Sequence, residues 1–336
     1  MHGFVPVLFS RPSMPLVSIF IRRLCSLWVA LSFVRALCAE PGETVDATFP
    51  RAPVDWLETQ VTLACRGFSG GAIDGIRGPQ SVAALAAFQR REGIEPSGEL
   101  DAATLERLTL AQPALAEFSL TKKDLASLVA VPPTWLEKSQ QPALGYATAL
   151  ELAAERFHAG PAFLRRLNPG LKWEEISPET TFRAPAITRV EKSALGLAAR
   201  VEIRLAERVL EILDQDSRVI AHFPVSIARK AEKRPLGDLR VTVVVPDPDY
   251  TFDPAVFPES AEARELGRKL MIPPGPNNPV GVAWVGLDRP GYGIHGTPDP
   301  EKVGRTESHG CFRLANWDAR TLLALAWVGL PVAVEP

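Results

Sequence analysis

Between Gly291 and Ala319 the chain reads GYGIHGTPDPEKVGRTESHGCFRLANWDA. His295 stands sixteen residues before Cys311, Ser308-His309-Gly310 runs directly into the thiol, and Arg313 follows two residues later. A thiol attacks as the thiolate, so it needs a base or a cationic partner near neutral pH. A histidine supplies that at the right pKa. Gly310 lets the backbone turn sharply before the nucleophile. Exposed N–H groups around Gly310 and Cys311 can then hold an oxyanion. A lone cysteine is usually a small buried apolar residue. Two histidines, a glycine and an arginine around it in a loop reverse that reading. Two histidines and one cysteine could also ligate zinc, but no acidic fourth ligand stands at suitable spacing and no CxxC pair occurs, so no metal is assigned.

These residues need a frame. From Arg200 the apolar period changes to two. RVEIRLAERVLEILD and VIAHFPVSIA, separated by the QDSR turn, read as a hairpin, and LRVTVVV, GVAWVGL, GYGIHGT and VAVEP read as further strands. A Pro-rich stretch over 246–279 carries one short helix, SAEARELGRKL. Many short strands with few helices predict a mainly-β C-terminal domain, a β-sandwich or a barrel-like relative of one. Upstream the pattern is helical. Asp55 caps a helix through Trp56, Leu57, Val61 and Ala64, Ser81 is expected to cap a second with Val82, Leu85 and Phe88 on one face, and Asp101 caps a third. A Gly-rich loop, GFSGGAIDGIRGPQ, joins the first two. Residues 111–141, with four prolines between them and Pro142, read as a linker around one short helix in TKKDLASLV. Two more helices follow, through Leu150, Leu152, Ala153 and Phe157 and through Phe163, Leu164 and Leu167, ended by Asn168-Pro169-Gly170 and a strand TFRAP. His158 reads as a core or capping histidine. Pro-rich joints predict that a fragment beginning near Ser193 folds by itself.

The chain has 336 residues, 46% hydrophobic and 23% charged, with a formal charge of −2. That composition is globular and multidomain, and without a broad basic face it excludes a general nucleic-acid binder. Arg11, Arg22 and Arg23 precede an eleven-residue apolar run, Leu24–Val34, and Leu37 and Ala39 stand at −3 and −1 of a cleavage site. This describes a secretory signal peptide over residues 1–39; the run is too short for a membrane span, so none remains after cleavage. Met1 and Met14 are both starts compatible with it. The exported chain keeps Cys65 and Cys311, about 250 residues apart, read as two independent cysteines rather than a disulfide.

HGT followed by SHGCFRL resembles the L,D-transpeptidase (YkuD-like) catalytic family. The similarity covers residues 199–336 and includes the Phe223-Pro224-Val225-Ser226 strand end, the Pro235-x-Gly237 turn and the closing VGLPVAV strand; Arg234 departs from the Thr common before that proline. The resemblance implies Cys311 as nucleophile and His295 as its base and acid. His309, Gly310 and Ser308 would support the oxyanion loop. Arg313, Tyr292 and Thr297 would orient substrate. It also implies cleavage of a peptidoglycan stem peptide after the L-centre of residue 3, acyl transfer to an amine to give 3→3 cross-links, and no cofactor. Residues 55–110 resemble a small three-helix peptidoglycan-binding module through Asp74-Gly75-Ile76, Gly78-Pro79, Ala84, Phe88-Gln89, Gly98, Thr104 and Leu108. Residues 142–190 resemble a LysM module lacking its first strand and usual Gly-Asp-Thr turn, so glycan is a further expected partner. The expected order is signal peptide 1–39, linker 40–54, helical module 55–110, linker 111–141, LysM-like α/β segment 142–190 and catalytic domain 199–336, placing the protein in the periplasm or wall. Water in place of the amine would make it an L,D-carboxypeptidase or another cysteine amidohydrolase of the wall. A vestigial, purely wall-binding protein is the remaining alternative, and the intact Cys311 and His295 argue against it.

Overall fold

The computed structural model describes residues 48–188, 192–256, 260–306 and 310–336. The segment read as a signal peptide, and Ser308 and His309 of the motif, lie outside the described residues.

Three helices open the described chain: α1 (Trp56–Ala64), α2 (Pro79–Glu92) and α3 (Ala102–Arg107). The Asp55 carboxylate accepts from Glu58 N at 2.8 Å and that of Asp101 from Thr104 N at 2.8 Å, caps of about 1 kcal/mol each. Ser81 does not cap α2. The helix starts three residues earlier, with Gly78 at the cap and Pro79 in the first turn, where its fixed φ and missing N–H cost nothing. Ser81 is buried instead and accepts from Gln60 Nε2 at 3.0 Å. Leu63, Phe68, Leu85, Phe88 and Leu108 fill this small core, and Val219 of the C-terminal half completes it.

The described parts of the joints expected as linkers are folded. Arg51 pairs with Leu110 through reciprocal backbone bonds of 3.1 and 2.7 Å. Residues 111–141 hold β1 (Leu115–Phe118), α4 (Lys122–Ala126) and α5 (Trp135–Ser139), the two helices closed by Thr121/Asp124 and Thr134/Glu137 capping boxes. After α6 (Ala149–Arg156) and α7 (Pro161–Leu167), β2 (Phe182–Pro185) returns antiparallel to β1. The strand missing upstream of α6 is therefore supplied from about thirty residues earlier, where a Pro-rich context hides it.

After the short α8 (Lys192–Leu195), the C-terminal half contributes β3 (Arg200–Arg204), β4 (Val209–Leu213), β5 (Val219–Pro224), β6 (Gly237–Pro246), β7 (Tyr250–Phe252), α9 (Ala261–Leu266), β8 (Leu270–Ile272), β9 (Ala283–Leu287), β10 (Gly293–His295), β11 (Phe312–Arg313), α10 (Asn316–Leu325) and β12 (Pro331–Glu335). RVEIRLAERVLEILD is two strands, because Arg208 adopts a left-handed φ of 56° and turns the chain where no Gly, Pro or Asn signals it. Eight strands form one sheet in the order β11-β10-β9-β6-β12-β3-β4-β5. The sheet curls until its ends meet: Ser226, just past β5, and Arg313 of β11 exchange two backbone bonds of 2.9 Å. Val201, Ile212, Phe223, Val285, Ile294 and Phe312 pack between the facing walls with Leu322 of α10. β7 and β8 pair separately and share a small core with Leu144, Trp135 and Leu136 from upstream.

Residues 48–336 form one compact unit. Every residue of β4 and β5 is buried, since the helical module covers the outer face of those strands. Ser69 N donates to His222 O at 2.8 Å and His222 N to Gly67 O at 2.9 Å, which adds the Gly-rich loop to the edge of β5. The strand-rich half, expected to fold by itself, has its edge strand and one sheet face finished by residues from the first half.

Candidate active site

β10 and β11 run parallel, with Ile294 opposite Phe312 and His295 opposite Arg313. Side chains alternate along a strand. Ile294 and Phe312 point into the core, each 1% exposed. His295 and Arg313 therefore share the other face. Cys311, one residue before β11 and two before Arg313, falls on that face beside Gly293. The Gly293 backbone hydrogen-bonds the thiol, and Sγ lies 3.5 Å from Gly291 O. Trp284 of β9 stands opposite His295 in the antiparallel register, and the two rings stack. A Cβ at position 293 would lie 2.6 Å from the Trp284 ring, so only glycine fits between indole and thiol.

His295 is 5% exposed, and its Nδ1 lies 2.6 Å from Gly296 O. A carbonyl only accepts, so Nδ1 carries the proton and Nε2 keeps its lone pair. Burial lowers the imidazole pKa to about 4; the Gly296 carbonyl opposes this and the Arg313 charge adds to it. Burial pushes the Cys311 thiol up, against the Gly293 hydrogen bond and the Arg313 charge. Both shifts favour a neutral thiol beside a neutral imidazole at rest. Cys311 and Cys65 are not joined in a disulfide.

The other expected site residues are placed differently. Thr297 is buried; its N–H donates to Asn316 Oδ1 at 3.1 Å and its hydroxyl accepts from Asp299 N at 3.3 Å, so it braces the loop after His295. Arg313 is half-buried and feels the charges of Cys311, Asp299 and Tyr250. Tyr292 packs against the main core on the side away from His295, under the Arg289 guanidinium. A Cβ at Gly310 would meet nothing described within 4 Å. Among the described residues no group of three or more His, Cys, Asp or Glu comes together as a metal cage.

Three residues at the site were not expected. Trp284 was legible only as part of an alternating strand. Asn316 is fully buried and bonds both flanks of the catalytic-loop frame, its Oδ1 accepting from Val282 N at 3.3 Å as well as from Thr297 N. A Cβ at Gly296 would lie 2.2 Å from that oxygen. Tyr250, on the β7–β8 hairpin, has its hydroxyl pKa raised first by burial and then by Cys311, which places it toward the thiol.

Residues 198–334 match the family described as the L,D-transpeptidase catalytic domain, and residues 53–108 match the "Putative peptidoglycan binding domain". The chain carries an L,D-transpeptidase catalytic domain. It is 25% identical over 187 residues to the "Putative L,D-transpeptidase YkuD" of Bacillus licheniformis, covering 56% of this chain and 93% of that protein. It is 32% identical over 125 residues to the "Putative L,D-transpeptidase YqjB" of Bacillus subtilis, covering 35% of this chain and 61% of that one. Among solved structures, an L,D-transpeptidase from Mycobacterium smegmatis aligns with a TM-score of 0.33 at 20% identity, over 42% of this chain and 60% of that one. The transpeptidase domain and the peptidoglycan-binding domain both point to the cell wall as the place of action. No helix among the described residues is long and apolar enough to cross a membrane.

Proposed function

We propose that this chain is an exported cell-wall L,D-transpeptidase in which Cys311 is the nucleophile and His295 its general base and acid. The observation that carries the reading is the placement of thiol and imidazole on one face of the β10–β11 pair, with His295 Nδ1 tied to Gly296 O and Nε2 left as acceptor. His295 Nε2 takes the thiol proton as sulfur attacks the carbonyl carbon of the L-centre of stem residue 3. Backbone N–H groups around Gly310 and Cys311 hold the oxyanion, with Ser308 and His309 shaping that loop. The C–N bond breaks, the departing D-residue amine takes the proton from His295, and a thioester remains. An acceptor amine gives its proton to His295, attacks the thioester and restores the thiol, which leaves a 3→3 cross-link. Arg313 is the cation suited to a stem carboxylate, and Trp284 and Tyr250 wall the groove.

Residues 1–39 direct export. The helical module and the LysM-like 142–190 segment, whose β2 pairs with β1 of the preceding stretch, hold the chain to peptidoglycan.

The test is incubation of the full chain with defined muropeptides and mass analysis of the products. Cross-linked dimers that vanish in Cys311→Ala support the reading. Shortened stems without dimers would make the chain an L,D-carboxypeptidase, and no turnover with native-like folding would leave a wall-binding protein.

A further inference from the structure

The peptide group between Gly296 and Thr297 is held at both ends. Its carbonyl oxygen accepts from His295 Nδ1 at 2.6 Å, and its N–H donates to Asn316 Oδ1 at 3.1 Å. The amide of Asn316 is in turn fixed from outside the catalytic domain. Its Nδ2 donates to Glu155 Oε2 at 2.7 Å and to Pro276 O at 3.2 Å. Glu155 lies on α6, in a part of the chain that neither family match covers. Its other oxygen accepts from the Tyr146 hydroxyl at 2.7 Å. Both carboxyl oxygens thus receive donors, which favours the carboxylate form against the burial that raises its pKa.

Carboxylate, side-chain amide, peptide group and imidazole form one continuous hydrogen-bonded line through the protein interior. An asparagine can present either end of its amide, and only one orientation places Oδ1 on Thr297 N and Val282 N. The carboxylate, with the Pro276 carbonyl beside it, selects that orientation, because both accept and cannot donate. Groups linked in this way polarise one another in a poorly screened interior. Electron density pushed along the line enriches the Gly296 carbonyl, which strengthens its hold on Nδ1–H and makes Nε2 a better proton acceptor.

We propose that Glu155 is a positioning residue for the transpeptidase reaction, acting through Asn316 and the Gly296–Thr297 peptide to fix the tautomer and basicity of His295. The upstream segment thereby sets the reactivity of the thiol as well as packing against its domain. The inference rests on the assignment of His295 as the base for Cys311. The charged and titratable groups facing Glu155 are Tyr146 and Glu151 from its own segment and Arg320 from α10. The charged group facing His295 is Arg313 of β11.

The experiment is the rate of Cys311 alkylation by iodoacetamide against pH, read on the Cys311 peptide by mass spectrometry in the full chain, with thermal melting of each variant. Glu155→Gln offers an amide that can donate to Asn316, so alkylation at pH 7 falls about tenfold, a fraction of what a general base supplies, and the midpoint of the acid limb set by protonation of His295 moves to lower pH. Tyr146→Phe removes one donor to the carboxylate, keeps the buried ring, and shifts the midpoint by a smaller amount. It serves also where Glu155→Gln does not fold. Glu151→Gln is the control. It loosens the Glu151–Asn277 contact at 2.5 Å between α6 and the same loop without touching the line to His295, and leaves rate and midpoint as in the wild type. Wild-type profiles in Glu155→Gln or, failing that variant, in Tyr146→Phe would overturn the proposal. So would equal slowing in Glu155→Gln and Glu151→Gln with the midpoint unmoved, which would make Glu155 a structural tie alone. His295→Ala separates the two readings: an unchanged profile there would remove His295 as the base, whereas a changed profile beside a wild-type Glu155→Gln would remove only the relay.

Discussion

The Trp284 indole lies stacked on the His295 imidazole, ring centroids 5.6 Å apart and planes 20° from parallel. When His295 takes the thiol proton, the imidazolium forms against an electron-rich ring face. Such a contact stabilises a cation by about 0.5–2 kcal/mol. Trp284→Ala is therefore expected to slow acylation of Cys311 by about two- to thirtyfold. Gly293→Ala is expected to do the same for a different reason, since its Cβ displaces the indole. Single-turnover acylation by a small β-lactam measures both, and wild-type rates in both would remove the ring from the chemistry.

The acid limb of the reaction follows from the buried imidazole. Burial comes first among the causes that hold His295 at about 4, below the ordinary 6.5, with the Gly296 carbonyl opposing and the Arg313 charge assisting. A base must be neutral to accept a proton, so acylation is retained on acidification until the pH drops through about 4. The acylation rate against pH checks this. A limb centred near 6.5 would mean that the imidazole is solvated in the working enzyme.

Much of this was readable in the residues, for a physical reason. Period-two alternation located β6, β9, β10 and β12, and Asp55 and Asp101 sit where a first turn needs an acceptor. The thiol and imidazole were readable because their chemistry restricts their neighbours. What escaped was tertiary. β1 has four residues in a Pro-rich setting, and only its pairing with β2 makes it a strand. α10 carries the helical spacing of Ala319, Leu322 and Leu325, but Ala315 offers no side-chain cap to announce it. Tyr292, which the resemblance implied as a groove-wall residue, packs against the main core, because odd and even positions of a strand look opposite ways. Asn316 and Glu155 are 161 residues apart and no local pattern joins them.

Acid unfolding is expected to report Glu211. This carboxyl is 2% exposed under α2, bonded to His222 Nδ1 at 2.9 Å, to Arg204 at 3.0 Å and to Arg90. Burial pushes its pKa up, but His222 and Arg204 outweigh that and hold it at about 2, below the ordinary 4.5. A carboxyl depressed in the folded state contributes stability above its unfolded pKa. That contribution is lost as pH falls from 4.5 through about 2. Glu211→Ala leaves a buried imidazole, a half-buried guanidinium and the exposed Arg90 without their acceptor and is expected to cost about 3–5 kcal/mol at neutral pH. Denaturant unfolding at pH 7 and pH 2.5 tests it; equal cost at both pH values would show that lost packing, not charge, is responsible.

Asp318 predicts the opposite sign. It is 3% exposed, its Oδ2 accepts from Ser69 Oγ at 3.0 Å, and burial raises its pKa well above 3.8 against that single hydrogen bond. A carboxyl raised in the folded state favours folding at low pH, and that advantage is lost as pH rises through the folded value. Asp318→Asn keeps an acceptor for Ser69 and removes the charge. It is expected to raise Tm at pH 7 by a few degrees and to change it little at pH 4. A lower Tm at pH 7 would mean that the carboxylate has a cationic partner in solution.

Truncation tests the unity of the fold. A fragment from Ser193 to Pro336 retains every strand of the curled sheet and the Cys311–His295 pair. It loses what finishes them. Without residues 67–69 the edge of β5 has no partner for His222 N and O. Without α2 the carboxylate of Glu211 loses Arg90, and Val219 loses the apolar cluster around Phe88. Without Trp135, Leu136 and Leu144 the β7–β8 hairpin that carries Tyr250 has half a core, and without Glu155 the amide of Asn316 loses its carboxylate acceptor. An exposed strand edge beside uncovered apolar side chains is a template for aggregation. The fragment is therefore expected to aggregate or to melt without a cooperative transition, and its Cys311 to lose acylation by a carbapenem, while residues 48–336 melt as one unit. Scanning calorimetry and acylation on the two lengths decide it. A monomeric fragment with a sharp transition and full-rate acylation would make the first half an accessory to a catalytic domain complete in itself.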